Sequence, residues 1–261
     1  MSTENKHNHF TFNGESSLDF GLVISRVPSL RSPGKRIESI EIPGRSGALH
    51  QWDGSYEEYD QVYRCWFLPE AITGTLSGMV HLINEWLSSA PAGAELRDSY
   101  DELTYRRATY IGGAEIKTVG KECGVFDIKF RCDPRCFIES GRDFRLEVGS
   151  PVAALNPGSY YSKPLITVTC AESGVITFRA RQGETIRKTY EIHIDFPDTL
   201  PHTVTIDCEL GEAWGPVNGV VQSLNKWISV EEFPELWPGQ NDIEVSGGIT
   251  AATVDARWWT L

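Results

Sequence analysis

Apolar and polar residues alternate with a period near two over most of this chain. Phe10-Thr11-Phe12 and residues 37–42, 60–67, 104–110 and 124–130 follow that pattern, which predicts strands with one buried face. One stretch breaks it. Over residues 73–89 the apolar positions Leu76, Met79, Val80, Ile83, Trp86 and Leu87 recur at spacings of three, four and seven. That is the stripe of an amphipathic helix laid on a sheet, and Pro91 and Gly93 close it. Residues 1–140 therefore read as a β domain carrying one helix.

A seam rich in proline and glycine follows, with Pro134, Gly141, Gly149, Pro151, Pro157 and Gly158. Beyond it the pattern is purely β, in short runs over 165–170, 175–180, 190–196, 204–209, 219–224, 227–231, 242–245 and 253–258. Turn residues such as Gly174 and Gly183 part these runs, the spacing expected of an antiparallel sandwich. The expected architecture is mainly β, with a boundary near residue 140 and a second domain over 141–261.

Charge narrows the function classes. The 261 residues carry 24 Lys+Arg against 36 Asp+Glu, a formal net charge of −12, and both halves hold more acidic than basic residues. Gripping phosphate backbones needs the opposite balance. No apolar run approaches the ~18 residues of a membrane span, so no membrane insertion is expected. The polar start, Met-Ser-Thr-Glu-Asn-Lys-His, lacks the basic and apolar regions of a signal peptide. Six cysteines are too sparse for a disulfide scaffold and suit reduced thiols. Cys170 and Cys208 end strand-like runs and read as small buried side chains. Cys132 and Cys136 could offer two thiolates to a metal, but no second pair matches them.

Motifs for catalysis fall short on geometry. Gly44-Arg45-Ser46-Gly47 misses the Gly-x-Ser-x-Gly spacing at Ala48, and it follows a strand and leads into a loop, where a nucleophile elbow needs a helix. Ser32-Pro33-Gly34-Lys35 cannot place its serine and lysine one helical turn apart. Gly113 and Gly120-Lys121 have six residues between the glycines where a phosphate loop has four, and Glu122 sits where Ser or Thr belongs. The carboxylate groups Asp98, Asp101, Glu102; Glu57, Glu58; and Glu231, Glu232 lie beside turn residues and read as solvated surface. The histidines are scattered. No catalytic residue, metal site or cofactor is expected. Eight tryptophans remain. Trp237, Trp258 and Trp259 suit a core or a subunit interface, and the alternative is stacking on saccharide.

Several strings, in order along nearly the whole chain, resemble the distal tail protein (Dit) family of long non-contractile-tailed phages. They begin with Phe10-Thr11-Phe12-Asn13-Gly14 and Ser17-Leu18-Asp19-Phe20-Gly21-Leu22. Ile40-Glu41-Ile42-Pro43-Gly44-Arg45-Ser46-Gly47 and Trp52-Asp53-Gly54-Ser55-Tyr56 follow. Phe126-Asp127-Ile128-Lys129-Phe130-Arg131-Cys132-Asp133-Pro134 comes next, then Lys163-Pro164-Leu165-Ile166 and Thr205-Ile206-Asp207-Cys208-Glu209. Phe233-Pro234-Glu235-Leu236-Trp237-Pro238-Gly239-Gln240-Asn241 and Arg257-Trp258-Trp259-Thr260-Leu261 complete the series.

The resemblance implies a structural virion protein of a phage or prophage tail tip, assembled in the bacterial host cytoplasm. It implies a homohexamer whose N-terminal domains ring a channel through which DNA passes without specific binding. It further implies a galectin-like C-terminal sandwich that docks receptor-binding or baseplate proteins, between the tail tube and a tail-tip or tail-associated lysin protein. Pro43, Gly44, Arg45, Ser46, Gly47 and Trp52 are the candidate subunit contact. A carbohydrate-binding tail component, with Trp237, Trp258 and Trp259 as contacts, is the alternative.

Overall fold

The computed structural model describes residues 7–29, 32–68, 75–112, 117–119, 123–196 and 202–261. The polar start over 1–6, the expected helix start at Thr73 and the Gly113 to Glu122 motif lie wholly or partly outside them. The fold is mainly β, with one α-helix. It divides into two compact units, one through Cys136 joined by Leu261, the other over Phe137–Thr260.

Unit 1 contains β1 (Phe10–Phe12), β2 (Glu15–Ser16), β3 (Leu22–Ile24), β4 (Lys35–Glu41), β5 (Ala48–Tyr56) and β6 (Tyr59–Phe67). Then come α1 (Leu76–Ser89), β7 (Ala94–Asp98), β8 (Asp101–Tyr110), β9 (Lys117–Val119) and β10 (Cys123–Ile138). The main sheet runs β2-β1-β7-β8-β10-β6-β3, with β9 on β10. Thr75 caps α1, its Oγ1 accepting from the Gly78 N–H at 3.2 Å; this satisfies one of the free donors of the first turn. Met79, Ile83, Trp86 and Leu87 are buried as the spacing predicts. They meet an aromatic core in which Phe10 stacks on Tyr63 (5.1 Å) and Phe20 on Trp86 (4.2 Å).

Unit 2 contains β11 (Phe144–Leu146), β12 (Val152–Asn156), β13 (Leu165–Gln182), β14 (Thr185–Ile194) and β15 (His202–Asp207). They are followed by β16 (Glu212–Val217), β17 (Val220–Ser223), β18 (Ile228–Val230), β19 (Gly239–Asp255) and β20 (Trp259–Thr260). Here the structure corrects the sequence reading. The runs at 165–170 and 175–180 belong to one strand, β13, and Gly174 is no turn. β19 likewise absorbs the 242–245 run and the start of the 253–258 run. The pairing of β13 with β19 shifts register around Cys170 and Gly174. At that irregularity Gly247 has φ 75°, and a Cβ there would stand 2.6 Å from the Ser173 carbonyl oxygen; a Cβ on Gly174 would meet Ile249 at 2.5 Å. The glycines let two paired strands bend together without ending.

The bend makes the sandwich. Before it, β13 pairs with β15; after it, with β14. Ile166 and Val168 from the first half share one core with Ile176, Phe178, Tyr190, Ile192 and Val245. Asp207 and Arg257 pin its rim. Nη1 and Nη2 of Arg257 donate to the two carboxylate oxygens, both at 2.9 Å, and hold Arg257 at φ 50°, where a side chain is strained.

Candidate functional site

β4 and β5 form a two-stranded ribbon separate from both larger sheets. The turn between them follows from its residues. Pro43 fixes one backbone angle, Gly44 supplies φ 83°, and the Arg45 N–H closes on the Ile42 carbonyl at 3.1 Å, the signature of a type II turn. Ser46 and Gly47 lead into β5, so the loop expected after Gly47 is in fact a strand. At the base of the ribbon Lys35 opposes Tyr56 while Ile37 opposes Trp52, a register shift. Asp53 stiffens it: the N–H and hydroxyl of Ser55 donate to its carboxylate at 2.8 and 2.7 Å and hold it below the usual carboxylate range.

Both faces of this arm carry apolar side chains. Ile37 stands opposite Trp52, and Ile40 opposite Leu49; three residues apart on one strand, Ile37 and Ile40 point to opposite sides. Ile37, Ile40, Ile42, Leu49 and Trp52 are 39–50% exposed. Trp52 is nonetheless oriented, since Nε1 donates to the Ser55 carbonyl at 2.7 Å and Lys35 Nζ lies 4.4 Å from its ring centroid. A two-stranded ribbon is marginal in water, and apolar residues on two open faces suit a contact with another protein. The six candidate residues Pro43, Gly44, Arg45, Ser46, Gly47 and Trp52 thus share one exposed arm.

The three candidate tryptophans of unit 2 separate. Trp258 is 2% exposed and packs in the core beside Phe144; it has no face to offer a partner or a sugar. Trp259 stacks on Tyr160 at 4.2 Å and donates from Nε1 to the Tyr161 carbonyl. Trp237 is 37% exposed. The buried Asn241 side chain accepts from its N–H and donates to its carbonyl, fixing its backbone, and the indole Nε1 donates to the Tyr190 hydroxyl at 3.3 Å. Beside it lies a polar groove lined by Lys188, Tyr190, Glu191 and Glu232. Glu231 and Glu232 gave a sequence signal as an acidic pair, whereas Lys188 and Tyr190 gave none.

Asp98, expected at the surface, is buried. The Tyr63 hydroxyl donates to it at 2.8 Å and Arg106 at 3.2 Å, while Arg106 Nε donates to the Tyr59 hydroxyl. Each partner's polar atoms are matched, which is what burial demands. Burial pushes the Tyr59 phenol and the Cys132 thiol up to about 12. Among the described residues no three metal-ligand side chains converge.

Two sheets with one helix on the first, an exposed two-stranded arm and a bent-sheet sandwich make up the fold. Over 95% of this chain and 98% of the other, the fold is similar to that of Dit from phage SPP1, described as a hub adsorption apparatus of phages infecting Gram-positive hosts; the TM-score is 0.62 at 14% identity. Chains of the activated phage p2 baseplate, solved with Sr and with Ca, match at TM-scores of 0.54 and 0.52, each at 8% identity, over 95% of this chain and 96% of theirs. No protein-family profile and no curated protein sequence matches. The shared fold is the one the resemblance in the sequence implied.

Proposed function

We propose that this chain is a structural hub protein at the distal end of a long, non-contractile phage or prophage tail, and that it has no catalytic role. The observation that carries the reading is the arm: five half-exposed apolar side chains on both faces of a ribbon, in a chain whose fold matches a tail hub protein end to end. Six copies form a ring through their N-terminal domains (residues 1–140), with Pro43, Gly44, Arg45, Ser46, Gly47 and Trp52 at the subunit contact. The tail tube binds one side and a tail-tip or tail-associated lysin protein the other. The C-terminal domain (141–261) faces outward and docks receptor-binding or baseplate proteins. At −12 per chain the channel wall is acidic, so DNA passes without adsorbing, since like charges repel it. Negative-stain electron microscopy of the purified protein, alone and with tube protein, tests this. Sixfold rings with a central opening are expected; single-subunit particles under both conditions overturn it.

A saccharide contact is the second reading, favoured by the exposure of Trp237 beside the Tyr190 hydroxyl. Glycan-array binding abolished by Trp237→Ala would carry it; no glycan bound by the parent protein excludes it.

A further inference from the structure

One edge of the sandwich is left open. β14 pairs with β13 from Thr185 to Ile194 on one side, whereas β18 covers its other side only at Ile192, His193 and Ile194. Among the described residues no strand lies against Thr185–Glu191 on that side. Alternate backbone N–H and C=O groups there meet no described strand, which makes them a template for another strand. A bulge at Arg187 moves Ile186 opposite Arg181, on the solvent face, where it is 45% exposed, while Tyr190, Ile192 and Ile194 stay buried on the inward face.

A groove of about 820 Å³ runs along this edge. Its charge is unbalanced. Lys188 is the groove's one lysine, and it is already engaged: Nζ contacts Glu232 at 2.5 Å and lies over the Tyr190 ring. His193 stands 3.4 Å from Glu191. Glu231 adds a further carboxylate to the wall, and the charge of Glu235 also reaches Tyr190. A ligand here meets acidic side chains and an open backbone edge, with Trp237 bonded to the Tyr190 hydroxyl beside it.

We propose that this edge is where an extended segment of a partner protein docks, added as a strand beside Thr185–Glu191. Its basic side chains face Glu191, Glu231 and Glu232. Seven residues at ~3.3 Å each span the open edge. Main-chain bonds give such a contact its affinity, and alternate side chains its specificity. The proposal rests on the reading of the C-terminal domain as the docking domain and names the chemistry of what docks.

The probe is a fluorescent, N-acetylated Lys-Val-Lys-Val-Lys-Val-Lys amide, titrated against the full chain and followed by anisotropy and by amide hydrogen exchange. A peptide of the same charge with two valines replaced by proline separates strand addition from charge attraction alone. Saturable binding is expected, with slowed exchange within Thr185–Glu191. Affinity should fall at least tenfold for the proline peptide and for Glu231→Lys/Glu232→Lys, whose thermal unfolding should match the parent. Equal binding of both peptides, unchanged exchange at those amides, or no binding overturns the proposal. Ring formation by the same preparation reports on assembly independently, so a failed edge site and a failed hub reading are told apart.

Discussion

Replacing Ile40 and Leu49 together by serine tests the assembly role of the arm while leaving both cores intact. The two face each other across the ribbon and are 39% and 43% exposed in the single chain. Covering a whole Ile or Leu side chain stabilises by ~1.5–3 kcal/mol. The two-fifths still exposed is therefore worth roughly 0.6–1.2 kcal/mol per residue, and roughly 1.2–2.5 kcal/mol for the pair at each subunit contact. At ~1.4 kcal/mol per decade this weakens every contact by about 7- to 60-fold. Sedimentation velocity over a concentration series reads that loss as a shift from ring to smaller species. Thermal unfolding of the dissociated chain should stay close to the parent, because neither side chain belongs to a core. Assembly indistinguishable from the parent would refute the assignment. So would a large drop in unfolding temperature, since the pair would then be holding the single chain together.

Arg45→Ala, at the tip of the arm, should also weaken ring assembly, and intact rings of that variant would argue against a tip contact. Arg257→Met removes both bonds to Asp207, leaves a buried carboxylate short of partners, and should cost about 3 kcal/mol in chemical denaturation. Burial alone raises the Asp207 carboxyl, but the bonds and charge of Arg257 and the N–H groups of Leu210 and Glu209 outweigh it and hold it below its ordinary value. Stability from this pair is therefore complete above the unfolded value of about 3.9 and is lost as pH falls below it; the parent and Arg257→Met should converge in acid. Gly247→Ala sets a Cβ 2.6 Å from the Ser173 carbonyl oxygen at φ 75° and should destabilise by about 1–3 kcal/mol in the same assay; a neutral result would show that the bend tolerates a side chain. Cys132, fully buried with its thiol pushed up to about 12, should resist alkylation at pH 8 until the protein unfolds, as peptide mapping would reveal.

What could be read from the sequence was whatever depends on neighbours along the chain. Period-two runs marked most strands, and the spacing of Met79, Ile83, Trp86 and Leu87 marked the single helix and its buried face. Pro43-Gly44 marked a turn. The sequence patterns show which face of an element is apolar, but the structure shows what covers that face. Gly174 and Gly183 carry the same local signal, yet one bends a continuing strand and the other turns a hairpin; only the long pairing of β13 with β19 distinguishes them. Trp258 and Trp237 are equally suited to a surface contact on paper, and packing placed the first in the core. Asp98 looked solvated until Tyr63 and Arg106, 35 and 8 residues away, closed over it. The open edge of β14 arises because β18 stops after three residues. The sequence by itself determined a mainly β chain with one amphipathic helix, because side-chain periodicity is a property of local geometry. The bend of the sandwich, the two bare faces of the arm and the unfinished edge were decided by tertiary structure, because burial depends on which distant segments meet.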